Sequence, residues 1–107
     1  STFHRNNSDL LIDIPVGFTQ AALGAEIEVP TINGKAKLTI PPGTQTHTVF
    51  RMRGKGLPKI RGFGKGNELV RIIVEIPTKL NSKQRELLIE LADEMNQNVK
   101  VKKGIFN

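Results

Sequence analysis

The chain has no cysteine, tryptophan or tyrosine, and only two methionines and five phenylalanines among its 107 residues. Without cysteine there is no disulfide framework and no thiolate chemistry, and so small a chain that folds without staples is expected inside the cell, in the cytoplasm. Sparse aromatics leave a core built mainly of Ile, Leu and Val, a palette that suits strands. No apolar run approaches the roughly 18 residues of a membrane span, and the N-terminal STFHRNNSDL lacks the apolar centre of a signal peptide, so no membrane partner is expected. Acidic residues are also few. Ten Asp and Glu stand against sixteen Lys and Arg, a formal charge of +6 that favours acidic partners through an attraction that salt screens.

What is present reads as one domain, long enough to bury about 60–70% of the surface of its unfolded form. Starting at Ser1 without an initiator Met and stopping just after Ile105-Phe106, it also reads as a segment of something longer. Leu10, Ile12, Ile14 and Val16 alternate against Leu11 and Asp13, the pattern of a first strand. GFTQAALG, with Ala and Leu between two glycines, predicts one or two helical turns stopped by Gly24. AEIEVPTINGKAKLTI predicts a hairpin with a type I′ turn at Asn33-Gly34, setting Glu26 and Glu28 against Lys35 and Lys37.

Pro41, Pro42 and Gly43 then force a turn, after which Phe50 and Met52 share one face of a strand and Val49, Arg51 and Arg53 the other. A glycine-rich connection leads to ELVRIIVEIP, where Val70, Ile72, Val74 and Ile76 share a face while Leu69 and Ile73 lie opposite. From Asn81 the period changes to that of a helix over about Ser82 to Met95, with Asn81 and Gln84 forming a capping-box pair and Leu87, Leu88, Leu91, Ala92 and Met95 a stripe expected to pack on the sheet. The fold class is therefore mainly β, a small β-sandwich with one short helix and one longer C-terminal helix.

Chemistry is largely excluded. His4 and His47 stand far apart with no carboxylate cluster at ligand spacing, so a metal site is disfavoured. No G-x-S-x-G elbow is present, and Gly66 is followed by Asn67-Glu68 and a strand where a Walker loop requires Lys and a helix. An enzyme is not expected. Between Arg51 and Lys65 lie six basic residues and no acidic one, namely Arg51, Arg53, Lys55, Lys59, Arg61 and Lys65. Such a loop either binds an acidic protein tail or RNA, or is a mobile solvated loop; nucleic acid is disfavoured because Phe63 is its only ring. Apolar residues on both faces of some strands suit a second packing layer or an extended peptide that adds a strand.

The runs AALGAEIEVPT, IPPGTQ and RMRGKGLP, in this order, followed by GNELVRIIVEIPTKLNSKQRELLIEL, resemble the second C-terminal domain of the DnaJ co-chaperones, the J-domain proteins of the heat-shock-40 class. The resemblance runs from Phe3 to Met95, and FHRNNSDL is similar to the family's F-x-R-x-G-x-D-L opening with Asn7 in place of glycine. It implies a β-sandwich domain over residues 1–95 and, over 96–107, a tail leading into a truncated dimerisation segment carried by Ile105 and Phe106.

It further implies a homodimeric full-length protein that binds unfolded polypeptides and passes them to a DnaK-type chaperone in protein folding and the stress response. By similarity to a sister domain, the implied peptide groove is lined by Leu10, Ile12, Ile27, Val29 and Thr31. No cofactor is expected here, zinc belonging to a Cys-rich segment, and the His-Pro-Asp tripeptide of the J-domain does not occur. His47 stands where the family's T-Q-x-G turn carries glycine, so a positive φ or a shifted turn is expected there.

Overall fold

The computed structural model describes residues 2–99, which form β1 (His4–Asn6), β2 (Asp9–Gly17), α1 (Phe18–Leu23), β3 (Ala25–Thr31), β4 (Gly34–Ile40), β5 (Val49–Met52), β6 (Glu68–Glu75) and α2 (Ser82–Glu94). Two units divide at Ile76 and Pro77. The first holds a four-stranded sheet in the order β1-β2-β6-β5 and a two-stranded sheet of β3 and β4.

The alternation of β2 sends Leu10, Ile12, Ile14 and Val16 inward, and all four are buried. β6 lies parallel to β2, with Ile12 beside Val70 and Ile14 beside Ile72. Parallel neighbours need a long crossover, here everything from α1 to the glycine-rich loop. Val29 and Ile40 of the hairpin and Ala21 of α1 join the same cluster, with Phe50 and Met52 packed against it. Both sheets thus share one core, and each fully buried Ile or Val contributes about 1.5–3 kcal/mol. Pro15, in the middle of β2, is tolerated because β1 pairs only as far as Leu11 and leaves that edge open.

Leu69 and Ile73 face the opposite way and are half-buried, Leu69 next to Leu11 and Ile73 next to Pro15 along the parallel register. Between these apolar pairs, Arg71 holds Asp13.

The β3–β4 hairpin forms as expected, with Thr31 opposite Gly34, but its turn is not type I′. That turn needs positive φ at both central residues, and the register makes these Ile32 and Asn33, neither of which has it; Gly34 takes φ 140° instead. The ion pairs run diagonally. Lys35 reaches Glu28 and Lys37 reaches Glu26, each at 3.5 Å, although Glu28 lies directly opposite Lys37.

Asn7 and His47 both take positive φ, 56° and 70°. His47 is held there because its N–H donates to the Ile72 carbonyl (2.6 Å), which prolongs the β5–β6 ladder beyond Val49.

In the second unit, the Asn81 side chain accepts from the Gln84 N–H (2.8 Å) while the Asn81 N–H donates to Gln84 Oε1 (2.9 Å), the reciprocal cap expected from the sequence. No residue of α2 is buried. Leu88 and Ala92 are half-buried, and Leu87, Leu91 and Met95 each stay about half exposed.

Candidate functional site

The five residues implied as a groove separate. Leu10, Ile12 and Val29 are core side chains, Ile12 and Val29 with no exposed surface at all. The reason is the phase of the strands. The even positions of β2 point inward and meet Val29 from the hairpin, so the row implied as a lining closes into the sandwich interior. A Val29→Ser change would accordingly test stability rather than peptide capture. Ile27 and Thr31, on the same inner row of β3, remain half-buried.

What the hairpin offers instead is edge. β3 and β4 are each seven residues long and pair with each other alone. Among the described residues, no backbone group of either strand bonds to a segment outside the pair. An unpaired edge is a template for another strand. At the hairpin tip, Thr31, Ile32 and Asn33 face Leu57 and Pro58 across a hollow of about 240 Å³.

The basic loop is not one surface. Gly66 N–H donates to the Leu57 carbonyl (2.7 Å) and Lys59 N–H to the Gly64 carbonyl (3.0 Å), which folds residues 57–66 into an irregular hairpin. Its base is fastened to the β1–β2 turn, since Leu57 N–H donates to the Ser8 carbonyl (2.8 Å) and Asn67 N–H to Asp9 Oδ1 (2.7 Å). Two glycines allow the approach. A Cβ on Gly56 would stand 2.5 Å from the Ser8 carbonyl oxygen, and one on Gly66 closer still.

The six loop cations therefore part company. Lys59, Arg61 and Lys65 line a cleft of about 910 Å³ against the β1–β2 turn, where Arg5 joins them. Lys55 borders the hollow at the hairpin tip, which Lys65 lines as well. Arg51 and Arg53 are exposed on and just beyond β5. Arg5 was not legible as part of this set, because the pairing of β1 with β2 brings it there and three polar residues carry no strand signal.

Glu68 is the residue that sequence reading passed over. It opens β6 in the inward phase of Val70 and Ile72, beside Leu10 on one side and Met52 on the other, and is fully buried. Neither carboxylate oxygen has a hydrogen-bond partner. Burial pushes its pKa above the ordinary 4.5, opposed by the positive field of Lys55. Its alternation with Val70 was the available signal. Asp13 behaves oppositely, since the Arg71 guanidinium that bonds it holds its pKa below the ordinary 3.8.

Among the described residues there is no group of three or more His, Cys, Asp or Glu placed to hold a metal ion. None of their helices is long and apolar enough to cross a membrane. Ile105 and Phe106, assigned to dimerisation by the resemblance, lie outside the described residues.

Comparison with known proteins places this geometry. The DnaJ C terminal domain family is matched over residues 1–77, and the chain belongs to that family. It is 53% identical over 104 residues to a chaperone protein DnaJ of Clostridioides difficile (strain 630), covering 97% of this chain and 27% of that protein. A chaperone protein DnaJ of Acetivibrio thermocellus is 51% identical over 106 residues, covering 98% of this chain and 28% of that protein. One from Methanosarcina acetivorans is 46% identical over 114 residues, covering 97% and 30%. The chain thus spans between about a quarter and a third of the length of these relatives.

Proposed function

We propose that this chain is the non-enzymatic, polypeptide-binding part of a DnaJ-type co-chaperone, and that it captures non-native segments by strand addition along the free edge of β3. The observation that carries the reading is the seven-residue edge of a two-stranded sheet beside a half-buried row, Ile27 and Thr31. An extended client would gain main-chain hydrogen bonds along that edge, with alternate side chains set against the row and one entering the hollow near Leu57. Pro30 lies on the same strand and supplies no N–H, which limits the ladder and keeps the edge from sticking indiscriminately.

A single edge of this kind binds at about micromolar strength, about 8 kcal/mol, which suits a holder that must release. In a full-length homodimer two such edges would gain through effective concentration before clients pass to a DnaK-type chaperone. The test is to remove a donor from one edge at a time. Glu28→Pro weakens capture of an unfolded polypeptide and Lys37→Pro on β4 leaves it unchanged, whereas equal binding by both variants and the parent overturns the edge assignment.

A further inference from the structure

We propose that the cleft between the β1–β2 turn and the 57–66 hairpin is a docking site for an acidic, extended polypeptide segment, separate from the edge of β3. Three observations converge on it. Four cations, Arg5, Lys59, Arg61 and Lys65, line it against one carboxylate, Asp9, whose Oδ1 is already engaged by the Asn67 N–H. Among the described residues none of the four makes an ion pair, while the cations of β4 and β6 at Lys35, Lys37 and Arg71 do.

The cleft is also built rather than incidental. The hairpin that carries three of the cations is fastened, through Ser8, Asp9 and the close approach of Gly56 and Gly66, to the turn that follows β1, the strand that carries the fourth. Cations held in place on fixed backbone lose less freedom on meeting a carboxylate than cations on a free tail.

The third observation is apolar. Ile60 in the cleft lining is 85% exposed, and Phe63, 98% exposed, stands outside the lining on the same hairpin tip. A ligand that pairs with the cations and covers these side chains carries closely spaced carboxylates and at least one apolar residue. That is the chemistry of an acidic protein segment. A single-stranded nucleic acid needs several rings for its bases and cations that track its backbone; here Phe63 is the one ring of the loop, and Arg5, Lys59, Arg61 and Lys65 share one cleft while Lys55, Arg51 and Arg53 lie outside it.

The experiment is fluorescence anisotropy on the 107-residue chain with a dye-labelled octapeptide of five glutamates and three leucines. Probes for comparison are the same octapeptide with glutamines in place of glutamates and a labelled uridine dodecanucleotide. The glutamate peptide binds, its affinity falls as salt is raised, and the glutamine peptide binds at least about tenfold more weakly. The Lys59→Glu, Arg61→Glu double variant loses about tenfold or more for the acidic peptide, Arg5→Gln loses part of that, and the Arg51→Gln, Arg53→Gln pair outside the cleft changes it less than about twofold. Unaltered thermal midpoints show that the variants are folded.

Equal losses in the two double variants overturn the proposal, because attraction would then be general to the positive surface. Tighter binding of the dodecanucleotide than of the acidic peptide overturns it in favour of nucleic acid. Glu28→Pro leaves acidic-peptide binding intact whether or not it impairs client capture, so the cleft and the β3 edge stand or fall separately.

Discussion

Arg71 on β6 grips Asp13 on the parallel neighbour β2 with two prongs, Nε to Oδ1 at 2.7 Å and Nη2 to Oδ2 at 2.9 Å. Side-by-side register puts the pair together, and the flanking half-buried residues, Leu11 with Leu69 and Pro15 with Ile73, frame it on the outer face. The guanidinium holds Asp13 below its ordinary pKa of 3.8, so the folded state binds this proton less readily than the unfolded state. The stability the pair contributes is present above that value and is lost as pH falls through the lower folded one. Both groups are exposed, so the effect is small. Asp13→Asn should lower the thermal midpoint slightly at neutral pH and converge with the parent in strong acid, as measured by circular dichroism melts across pH.

Glu68 has the opposite sign. Its pKa is raised by burial, so near and above the ordinary 4.5 the unfolded state gives up the proton first and stability falls as pH rises. Below that value both states hold the proton and the penalty vanishes. With both oxygens unpaired between Leu10 and Met52, Glu68→Leu should stabilise the fold at neutral pH by about 1–3 kcal/mol, with the gain shrinking in acid. Chemical denaturation at neutral and acid pH checks this, and a loss of stability at neutral pH would show that the carboxylate finds a partner.

Gly66→Ala sets a methyl group against the backbone carbonyl of Ser8. A clash of that kind has no flexible atom to yield, and a destabilisation of about 2–3 kcal/mol is expected in urea titration. The amide of Leu57, bonded to the same carbonyl, should lose protection from hydrogen exchange along with it.

His47→Gly should stabilise the chain by about 0.5–1 kcal/mol, because the residue sits at φ 70°, where a Cβ is strained by about 1–2 kcal/mol and the added freedom of glycine in the unfolded chain offsets part of the relief. Thermal melts of the two proteins side by side provide the measurement.

The sandwich was legible because its long strands alternate cleanly. Leu10 to Val16 and Val70 to Val74 write a period of two, which Ile76, beyond the end of β6 and exposed, does not continue, and the capping pair Asn81 and Gln84 writes the start of α2. Less visible was everything that depends on which strand neighbours which. The parallel pairing of β2 with β6 joins segments about 58 residues apart, as Asp13 and Arg71 are, and no local pattern encodes it. The same pairing carries Asn67 and the basic hairpin onto the β1–β2 turn, which is why Arg5 enters the cleft unannounced.

The implied groove went astray for a related reason. Alternation reveals that Ile12 and Val29 share a face with their strand mates; whether that face meets solvent or another sheet depends on the hairpin folding over the four-stranded sheet. In the structure it does, and both residues are sealed. The hairpin turn differs because register, set by Thr31 opposite Gly34, moves the two central positions one residue ahead of Asn33-Gly34.

Capture of non-native polypeptide by the edge of β3 is read out by titrating a dye-labelled, reduced and carboxymethylated polypeptide with the parent chain, Glu28→Pro and Lys37→Pro, each checked for an intact melt. The parent should bind at about micromolar strength, Glu28→Pro should lose about tenfold and Lys37→Pro should lose nothing. Binding unaffected by Glu28→Pro, or lost equally in both variants, would contradict it.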